Sequence, residues 1–140
     1  MRVLVDTSVW SLALRRARPA PGPIVDELAE LVREGRAVII GPIRQELLSG
    51  VKETQQVNTL RDHLRAFPDL ELETADFEEA ADGFNRCRAQ GIQGSNTDFL
   101  LWAVASRRDL GIFTTDGDFV AICRALPLQL HEPRRSISRV

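Results

Sequence analysis

The stretch Gly111-Ile112-Phe113-Thr114-Thr115-Asp116-Gly117-Asp118-Phe119 decides the fold of this chain. Residues 111–114 are rich in β-branched and aromatic side chains and predict a short buried strand. The strand runs directly into Asp116 and Asp118, and the Asp-Gly pair that begins this segment is a turn signal. Ligands of open α/β sheets bind outside the carboxyl ends of the strands. On this stretch alone, Asp116 is either a turn residue that caps the next helix or part of a binding site.

The rest of the chain alternates apolar runs with helical patterns. Compact apolar runs predict strands at residues 2–6 and 37–40, and weaker patterns predict two more at 70–73 and 128–130. Apolar residues at helical spacing predict the intervening helices, within residues 9–14, 24–32, 43–51, 54–67, 77–87, 99–105 and 119–122. Thr7 and Ser8 offer N-cap chemistry for the first helix, and prolines mark residues 17–23 as a loop. This order predicts a parallel α/β sheet with right-handed crossovers.

Composition favours one globular domain. The 140 residues are 44% hydrophobic and 27% charged, which excludes a disordered chain or a membrane protein. We expect residues 1–132 to form the domain and residues 133–140 to form a polar, frayed tail. Asp6 interrupts the apolar start of the chain, so we predict no signal peptide and expect a cytoplasmic protein. Cys87 and Cys123 lack the spacing of a zinc site or a disulfide framework.

The charge pattern leaves the class of partner open. The net charge is −2, so the basic footprint typical of nucleic-acid binders is absent. Lys52 is the one lysine, and the many arginines fit either bidentate phosphate contacts or simply the base composition of the genome. We interpret the arginine pairs as solvated surface, at positions 15–16, 107–108 and 134–135. The chain carries no GxGxxG, P-loop or GxSxG motif, and its two histidines lack zinc spacing.

Four acids lie where the chain meets the expected ligand-binding edge of the sheet. Asp6 ends the first strand, and Asp116 follows the strand near residue 112. Asp98 begins a helix that leads toward that strand, and Glu46 lies about one turn into the helix after the second strand. Clustered carboxylates repel one another, so a fold that gathers them generally requires cations. Magnesium prefers such hard oxygen ligands, and two ions can act on the attacking and leaving oxygens of a phosphodiester.

Each of these acids also has a purely structural interpretation. Ser95 and Asp98 fit a capping box, with Asp in place of the usual Glu. Glu46 fits an exposed acid near a helix N-terminus, and Asp6 fits a hydrogen-bond acceptor for the backbone that follows it. Taken singly, each structural interpretation is the simpler one. Together they leave the placement of four acids at successive element ends unexplained.

Four segments of the chain resemble the PIN-domain family, and most closely its VapC toxin branch from type II toxin–antitoxin pairs. The likeness covers nearly the whole chain, from residue 3 to about residue 130. Four motifs in the family's order are far more specific than one. The segments read Val5-Asp6-Thr7-Ser8-Val9-Trp10, Gln45-Glu46-Leu47-Leu48-Ser49-Gly50, Asn96-Thr97-Asp98-Phe99-Leu100-Leu101 and Thr114-Thr115-Asp116-Gly117-Asp118-Phe119.

The resemblance implies a three-layer α/β/α fold with a parallel sheet of about five strands. It implies a Mg²⁺- or Mn²⁺-dependent endoribonuclease, in which acids hold the metal while water attacks an RNA phosphodiester in line. The implied catalytic and metal-binding acids are Asp6, Glu46, Asp98 and Asp116, with Asp118 as an additional metal ligand. The implied auxiliary polar residues are Thr7, Ser95, Asn96 and Thr114, the last of which orients a carboxylate or a water.

The resemblance also implies a homodimer and a small antitoxin of the VapB type, whose C-terminal segment occupies the active groove. We hypothesise that an amphipathic antitoxin helix packs on Trp10, Leu12, Leu14 and the helix at 24–32, and that an antitoxin arginine enters the acid cluster. Two alternatives stay open. One is a catalytically weak PIN-like module that binds RNA or protein, although the complete set of four acids argues against it. The other is a PIN-like nuclease for structured nucleic acid, against which the short chain argues.

Overall fold

The computed structural model of the chain describes residues 1–15 and 22–134. Most of the loop predicted at 17–23, and the tail from residue 135 onward, lie outside this part of the chain. Pro23 is described, and it opens a helix instead of ending the loop, because proline is favourable in the first helical turn. Among the described residues, the longest helix has 16 residues, and none is long and apolar enough to cross a membrane.

Three parallel strands form the centre of the fold: β1 (Val3–Val5), β2 (Ala37–Val38) and β3 (Gly111–Phe113). Their spatial order is β2-β1-β3, so that β1 lies in the middle. Leu4 of β1 lies opposite Val38 on one side and opposite Ile112 on the other. All residues of β1 and β3 are buried, as expected of central parallel strands. The predicted α/β class with a parallel sheet is confirmed.

The strand predicted at 70–73 is wrong. Beside β2 the structure has a single parallel bridge between Ile39 and Asp69, followed by a hydrogen bond from the Leu70 N–H to the Ile39 carbonyl at 2.9 Å. The chain then leaves the sheet because Glu73 is already the N-cap of the next helix. The alternating pattern of residues 70–73 therefore marks an approach to a helix.

The strand predicted at 128–130 is also reduced to one bridge, between Leu130 and Ile112 of β3. The His131 N–H donates to the Ile112 carbonyl at 2.7 Å, which continues the pairing by one bond. Before the bridge, the Pro127 carbonyl accepts from the Trp102 indole N–H at 2.8 Å and is turned away from the sheet. In the described residues the sheet thus has three strands, with one isolated bridge on each side, where five strands were expected.

Seven helices of the described chain cover the sheet: α1 (Thr7–Leu14), α2 (Pro23–Arg33), α3 (Gly41–Leu48), α4 (Thr54–Leu64), α5 (Thr74–Ala89), α6 (Asn96–Arg108) and α7 (Asp118–Ile122). α1 packs on α2 and α3, and α3 packs on α4; α5 packs along α6, which contacts β3. α6 is buried over most of its length, as its nearly all-round apolar sequence predicts. The result is the expected three-layer α/β/α arrangement.

Both tryptophans are packing residues. Trp10 is only 1% exposed, donates its indole N–H to the Val5 carbonyl at 3.2 Å, and packs at a tilt against Phe67, with ring centroids 5.0 Å apart. The hypothesis that Trp10 offers surface to an antitoxin is therefore wrong. Trp102 lies against Gly83 of α5, where an added Cβ would be 2.5 Å from the indole ring. Gly83 thus permits the close approach of α5 and α6.

A buried ion-pair network joins the start of α5 to the end of α6. The Asp76 side chain is fully buried, and its carboxylate accepts from Arg107 at 2.6 Å and from Arg108 at 2.6 and 2.9 Å. It also accepts from the Glu73 N–H in a capping box at the start of α5. The hydrogen bond from Arg108 holds the pKa of Asp76 far below its usual range, with Glu73 and Arg107 adding to the effect. The interpretation of 107–108 as solvated surface is wrong.

A second network anchors the end of the described chain. His131 Nε2 lies 2.5 Å from a carboxylate oxygen of the buried Glu27 in α2, and Arg134 donates to the same carboxylate at 2.9 Å. Arg134 also contacts Glu34 at 2.6 Å, and its hydrogen bond lowers the pKa of Glu34 to about 2. Burial raises the pKa of Glu27, but the hydrogen bonds from His131 and Arg134 outweigh that effect and lower it. The expected frayed tail does not begin at residue 133, since Arg134 is held.

We predict that Asp76→Asn destabilises the fold by about 3 kcal/mol at pH 7, because two arginines lose their buried partner. A carboxyl whose folded pKa lies below the unfolded value stabilises above the unfolded pKa, and that contribution is lost as pH falls through the folded pKa. The difference between the wild type and the variant should therefore shrink below about pH 4. Urea unfolding at several pH values measures it. Asp62→Asn, which removes an exposed partner 4.0 Å from Arg65, should change stability by less than about 0.5 kcal/mol.

Candidate metal centre

Asp6 lies at the carboxyl end of β1 and is tied to both neighbouring segments. Its Oδ1 accepts from the Thr7 N–H at 2.8 Å, which makes Asp6 itself the N-cap of α1. Its Oδ2 accepts from the Ser8 hydroxyl at 3.0 Å and from the Thr114 hydroxyl at 2.7 Å. The expectation that Thr7 and Ser8 supply the N-cap is wrong. The Asp6 side chain, in a residue only 6% exposed, instead joins the start of α1 to the segment after β3.

The segment after β3 is shaped by hydroxyl groups. The Thr114 hydroxyl accepts from the Asp116 N–H at 3.0 Å while it donates to Asp6, and the Ser8 hydroxyl accepts from the Thr115 N–H at 3.0 Å. Asp116 Oδ1 accepts from the Asp118 N–H at 2.9 Å, which is the predicted turn. Asp116 is therefore a turn residue, as one interpretation predicted. The same turn also places Asp116 and Asp118 at the edge of the sheet, beside the end of β1.

Asp98 combines a cap with a buried charge. Its Oδ2 accepts from the Ser95 N–H at 2.9 Å, and its own N–H donates to the Ser95 hydroxyl at 3.1 Å, which is the predicted capping box. The residue is only 7% exposed. Burial raises the pKa of Asp98; the Ser95 hydrogen bonds oppose this, and repulsion from Asp116 and Asp6 adds to it. Because its neighbours are acids, the charge of Asp98 is not neutralised by the protein.

Glu46 reaches the same edge from α3. Its Oε1 accepts from the Thr7 hydroxyl at 3.2 Å. Burial raises the pKa of Glu46, the Thr7 hydrogen bond opposes the shift, and the negative charges of Asp6 and Asp98 add to it. The electrostatic influence of Asp6 and Asp98 places Glu46 within the acid cluster rather than on an isolated solvent face.

Among the described residues, three acids are close enough to share one cation. Asp98, Asp116 and Asp118 each offer a carboxylate oxygen, and these oxygens lie within 4.8 Å of one another. Every donor is a hard oxygen, which is the ligand type that Mg²⁺ and Mn²⁺ prefer. Burial, to which repulsion from Asp116 and Asp6 adds, raises the pKa of Asp98, and a bound cation would favour its charged form. The residues present therefore fit a divalent metal, with Asp6 and Glu46 beside the three acids.

The auxiliary residues divide into two groups. Thr7 and Thr114 contact the acids directly, through Glu46 and Asp6. Asn96 is exposed and lines a neighbouring groove of about 390 Å³, whose wall is largely apolar. Sequence reasoning missed Ser8 as an auxiliary residue, although its place two residues after Asp6 on the same helix start was a usable signal.

Two grooves open beside the acids. One, of about 450 Å³, is lined by Thr7, Glu46, Ser49 and Thr97 together with Pro42 and Gln45. The apolar groove that Asn96 lines adjoins it, because Pro42 and Thr97 line both. Thr97 is a second residue that sequence reasoning missed. Through Glu46, the acid cluster thus borders an open groove.

Comparisons with known proteins agree with this geometry. The family model of the PIN domain matches residues 3–125. Ribonuclease VapC11 of Mycobacterium tuberculosis is 33% identical over 132 residues, which span 91% of this chain and 96% of that protein. The VapC ribonuclease Mb1587 of Mycobacterium bovis matches with the same identity and coverage.

Solved structures share the fold. FitAcB from Neisseria gonorrhoeae has a TM-score of 0.73 at 22% identity, over 94% of this chain and 97% of that chain. VapBC2 from Rickettsia felis, bound to a DNA fragment from its promoter, has a TM-score of 0.73 at 17% identity, over 94% of this chain and 98% of that chain. At these identities the likeness shows the fold alone.

We predict that Asp116→Asn leaves the metal-free fold as stable as the wild type at pH 7, or more stable. Asparagine keeps the turn acceptor, while the loss of charge removes a repulsion that raises the pKa of Asp98. A carboxyl with a raised folded pKa costs stability above that pKa, and the cost disappears as pH falls through it. Any gain should therefore vanish below about pH 4. Thermal melts in EDTA across this pH range measure it.

The same variant should lose most of the rise in melting temperature that Mg²⁺ or Mn²⁺ gives the wild type, because that rise comes from binding to the folded state. Asp109→Asn is the matched control. It removes one exposed acid at the far end of α6, at a backbone φ of 53° that asparagine tolerates. An equal cation-induced rise in all three proteins would contradict a metal site at Asp116.

Proposed function

The chain belongs to the PIN-domain family, and we propose that it is a divalent-metal-dependent endoribonuclease that acts as the toxin of a toxin–antitoxin pair. The observation that carries the proposal is the meeting of five acids from four segments of the chain at one edge of the sheet, beside an open groove. Relatives that match over nearly their whole length are named as ribonucleases, which supports RNA as the substrate class.

The acids would hold Mg²⁺ or Mn²⁺. Asp98, Asp116 and Asp118 offer the three closest oxygens, with Asp6 and Glu46 completing the set. When bound, the metal supplies positive charge that offsets the scissile phosphate and favours attack by water at neutral pH.

The protein's own contribution is to hold the carboxylates in place. Thr114 and Ser8 donate to the same oxygen of Asp6, which fixes that side chain between β1 and β3. Thr7 fixes Glu46, and the Ser95 capping box fixes Asp98. A preorganised set of carboxylates does not have to reorganise when the phosphate gains charge, which is where such sites lower the barrier.

We expect purified protein to cleave single-stranded RNA in the presence of Mg²⁺ or Mn²⁺, and excess EDTA to abolish the cleavage. Asp116→Asn should lower the rate by about two orders of magnitude or more, because a neutral amide is a poor ligand and does not offset metal charge. Asp109→Asn, which removes the same charge away from the cluster, should cleave as the wild type does. The assay follows a 5′-labelled RNA by denaturing electrophoresis.

Full cleavage in EDTA, or wild-type cleavage by folded Asp116→Asn, would refute the proposed site. A folded wild type that binds RNA without cutting it under any of these metals would favour the RNA-binding module instead. Cutting of flap or junction substrates in preference to single strands would favour a nuclease for structured nucleic acid.

A small antitoxin is the proposed protein partner. Structures with the same fold include a toxin–antitoxin complex from Klebsiella pneumoniae and a member of the VapBC family of toxin-antitoxin systems from Mycobacterium tuberculosis. The acid cluster supplies the chemistry for such a partner, because an arginine from it would neutralise repelling carboxylates as a metal does. Leu12 and Leu14 of α1 are half-buried and still offer some apolar surface, whereas Trp10 does not.

A homodimer is the proposed assembly of the chain, and the apolar groove is its candidate surface. Phe77, which is 53% exposed, Ala80, Ala81 and Phe84 form a stripe along α5, and Leu100 of α6 completes the groove. Phe77 and Ala81 are the exposed members of this stripe; exposed apolar surface can mark an association site, and a two-fold dimer pairs one such patch with its own copy. A monomeric mass in light scattering at micromolar concentration would contradict the homodimer.

Induced expression of the chain alone in a bacterial host should arrest growth. Asp116→Asn at the same expression level should not, because arrest depends on cleavage. Co-expression of the small protein encoded by the adjacent upstream reading frame should restore growth and co-purify with the chain. Unimpaired growth with a soluble, RNA-cleaving protein would count against the toxin role while leaving the nuclease intact.

A further inference from the structure

Arg15 lies beside the groove that Thr7, Glu46, Ser49 and Thr97 line, which we call the acid-lined groove. Arg15 is the C-cap residue of α1, and its side chain is exposed. Its guanidinium donates to the Ser49 carbonyl at 3.4 Å. It also lies close to Gly50, since a Cβ added to that glycine would be 3.8 Å from the guanidinium nitrogen. Ser49 lines the groove that contains Glu46. Arg15 is thus one residue removed from the wall of the cleft.

Arg15 has no acidic partner in the part of the chain that the structure describes. Its guanidinium makes one long hydrogen bond to a backbone carbonyl, which uses one of its five N–H groups. Other arginines of the described chain are committed to carboxylates, namely Arg33, Arg36, Arg44, Arg65, Arg107, Arg108 and Arg134. The remaining donors of Arg15 are free to bind an anion.

Arg15 also lines a second groove, of about 330 Å³, between α1 and α4. Its wall carries Gln55, Thr59 and His63, all exposed, above the apolar Leu14. Amide, hydroxyl and imidazole groups can hydrogen-bond the edges and sugars of an unpaired strand. Because Arg15 contacts Ser49 of the acid-lined groove and lines this second groove itself, it lies between the two grooves.

The acid cluster makes a positive charge at this position favourable for binding RNA. Five carboxylates repel RNA phosphates, and a cation held among them offsets the scissile phosphate but not its neighbours along the strand. Grooves that bind single-stranded nucleic acid generally carry positively charged side chains, which offset the charge of the phosphates. Arginine is suited to this because it can bind a phosphate with two parallel hydrogen bonds. Resting on the proposed ribonuclease function, we propose that Arg15 binds a phosphate flanking the scissile one and guides the strand from the acid cluster into the α1–α4 groove.

The competing structural interpretation is that Arg15 only braces α1 against the end of α3. A brace would affect stability and not the dependence of RNA binding on salt. A phosphate contact to a single strand contributes about 0.7 to the slope of log affinity against log salt concentration, since it releases condensed counterions. The salt dependence therefore separates the two roles.

The test measures binding of a fluorescein-labelled single-stranded RNA to the Asp116→Asn protein by anisotropy, at constant Mg²⁺ and varied KCl. Arg15→Gln should weaken binding about 3- to 10-fold at low salt and lower the slope by about 0.7. Arg15→Lys should keep the slope because it keeps the charge. Arg65→Gln is the matched control, since it removes an exposed arginine from the end of α4, and it should keep both affinity and slope.

In the cleaving protein, Arg15→Gln should raise KM by a similar factor while kcat changes less than twofold, because the residue contacts the strand away from the reacting phosphate. An unchanged slope in Arg15→Gln, or the same loss in Arg65→Gln, overturns the assignment while leaving the nuclease in place. A lowered melting temperature with an unchanged slope would make Arg15 a brace. Absence of both binding and cleavage in the wild type would overturn the proposed function and this inference together.

Discussion

The hydrogen bond of 2.7 Å from the Thr114 hydroxyl to the Asp6 carboxylate is the contact on which the site depends. It forms because β1 and β3 are parallel neighbours in register, with Val5 opposite Phe113 and the Asp6 N–H donating to the Phe113 carbonyl at 2.9 Å. Parallel pairing brings both carboxyl ends to one level, so the residues that follow each strand must meet. A shift of the register by one residue would separate Asp6 from Thr114 and carry Asp116 away from Asp98.

Gathering acids at one edge is unfavourable, and hydroxyl and amide donors offset only part of the cost. Thr114, Ser8 and the Thr7 N–H satisfy the oxygens of Asp6, and Ser95 satisfies one oxygen of Asp98. Hydrogen bonds stabilise each carboxylate without removing its charge, so the pKa values of Asp98 and Glu46 stay raised by burial and by neighbouring acids. The same fold that fixes these oxygens therefore leaves a net negative charge for a cation, a metal or an arginine, to neutralise.

Sequence reasoning predicted what local pattern and element order determine. The apolar runs and the Asp-Gly turn predicted β1, β3 and the acids that follow them, because strand and turn signals are local. It failed where partners are distant in sequence. Arg108 lies 32 residues after Asp76, and Arg134 lies 107 residues after Glu27, so no local pattern marked either pair. The pattern at 70–73 misled because Leu70 and Leu72 do face the core, but before a helix rather than along a strand.

Asp76 and Asp98 separate structural acids from site acids within one chain. Each is the third residue of a helix, each closes a capping box, and each is buried. Their local sequences therefore predict the same role. Two arginines from the end of α6 neutralise Asp76, and its pKa is lowered; Asp98 faces Asp116 and Asp6, and its pKa is raised. A buried acid left with acids for neighbours costs stability, and a bound cation would offset that cost. Asp76 and Asp98 thus have equivalent local roles as caps but opposite electrostatic surroundings, which only the tertiary structure determines. These surroundings distinguish the candidate site residue Asp98 from the structural residue Asp76.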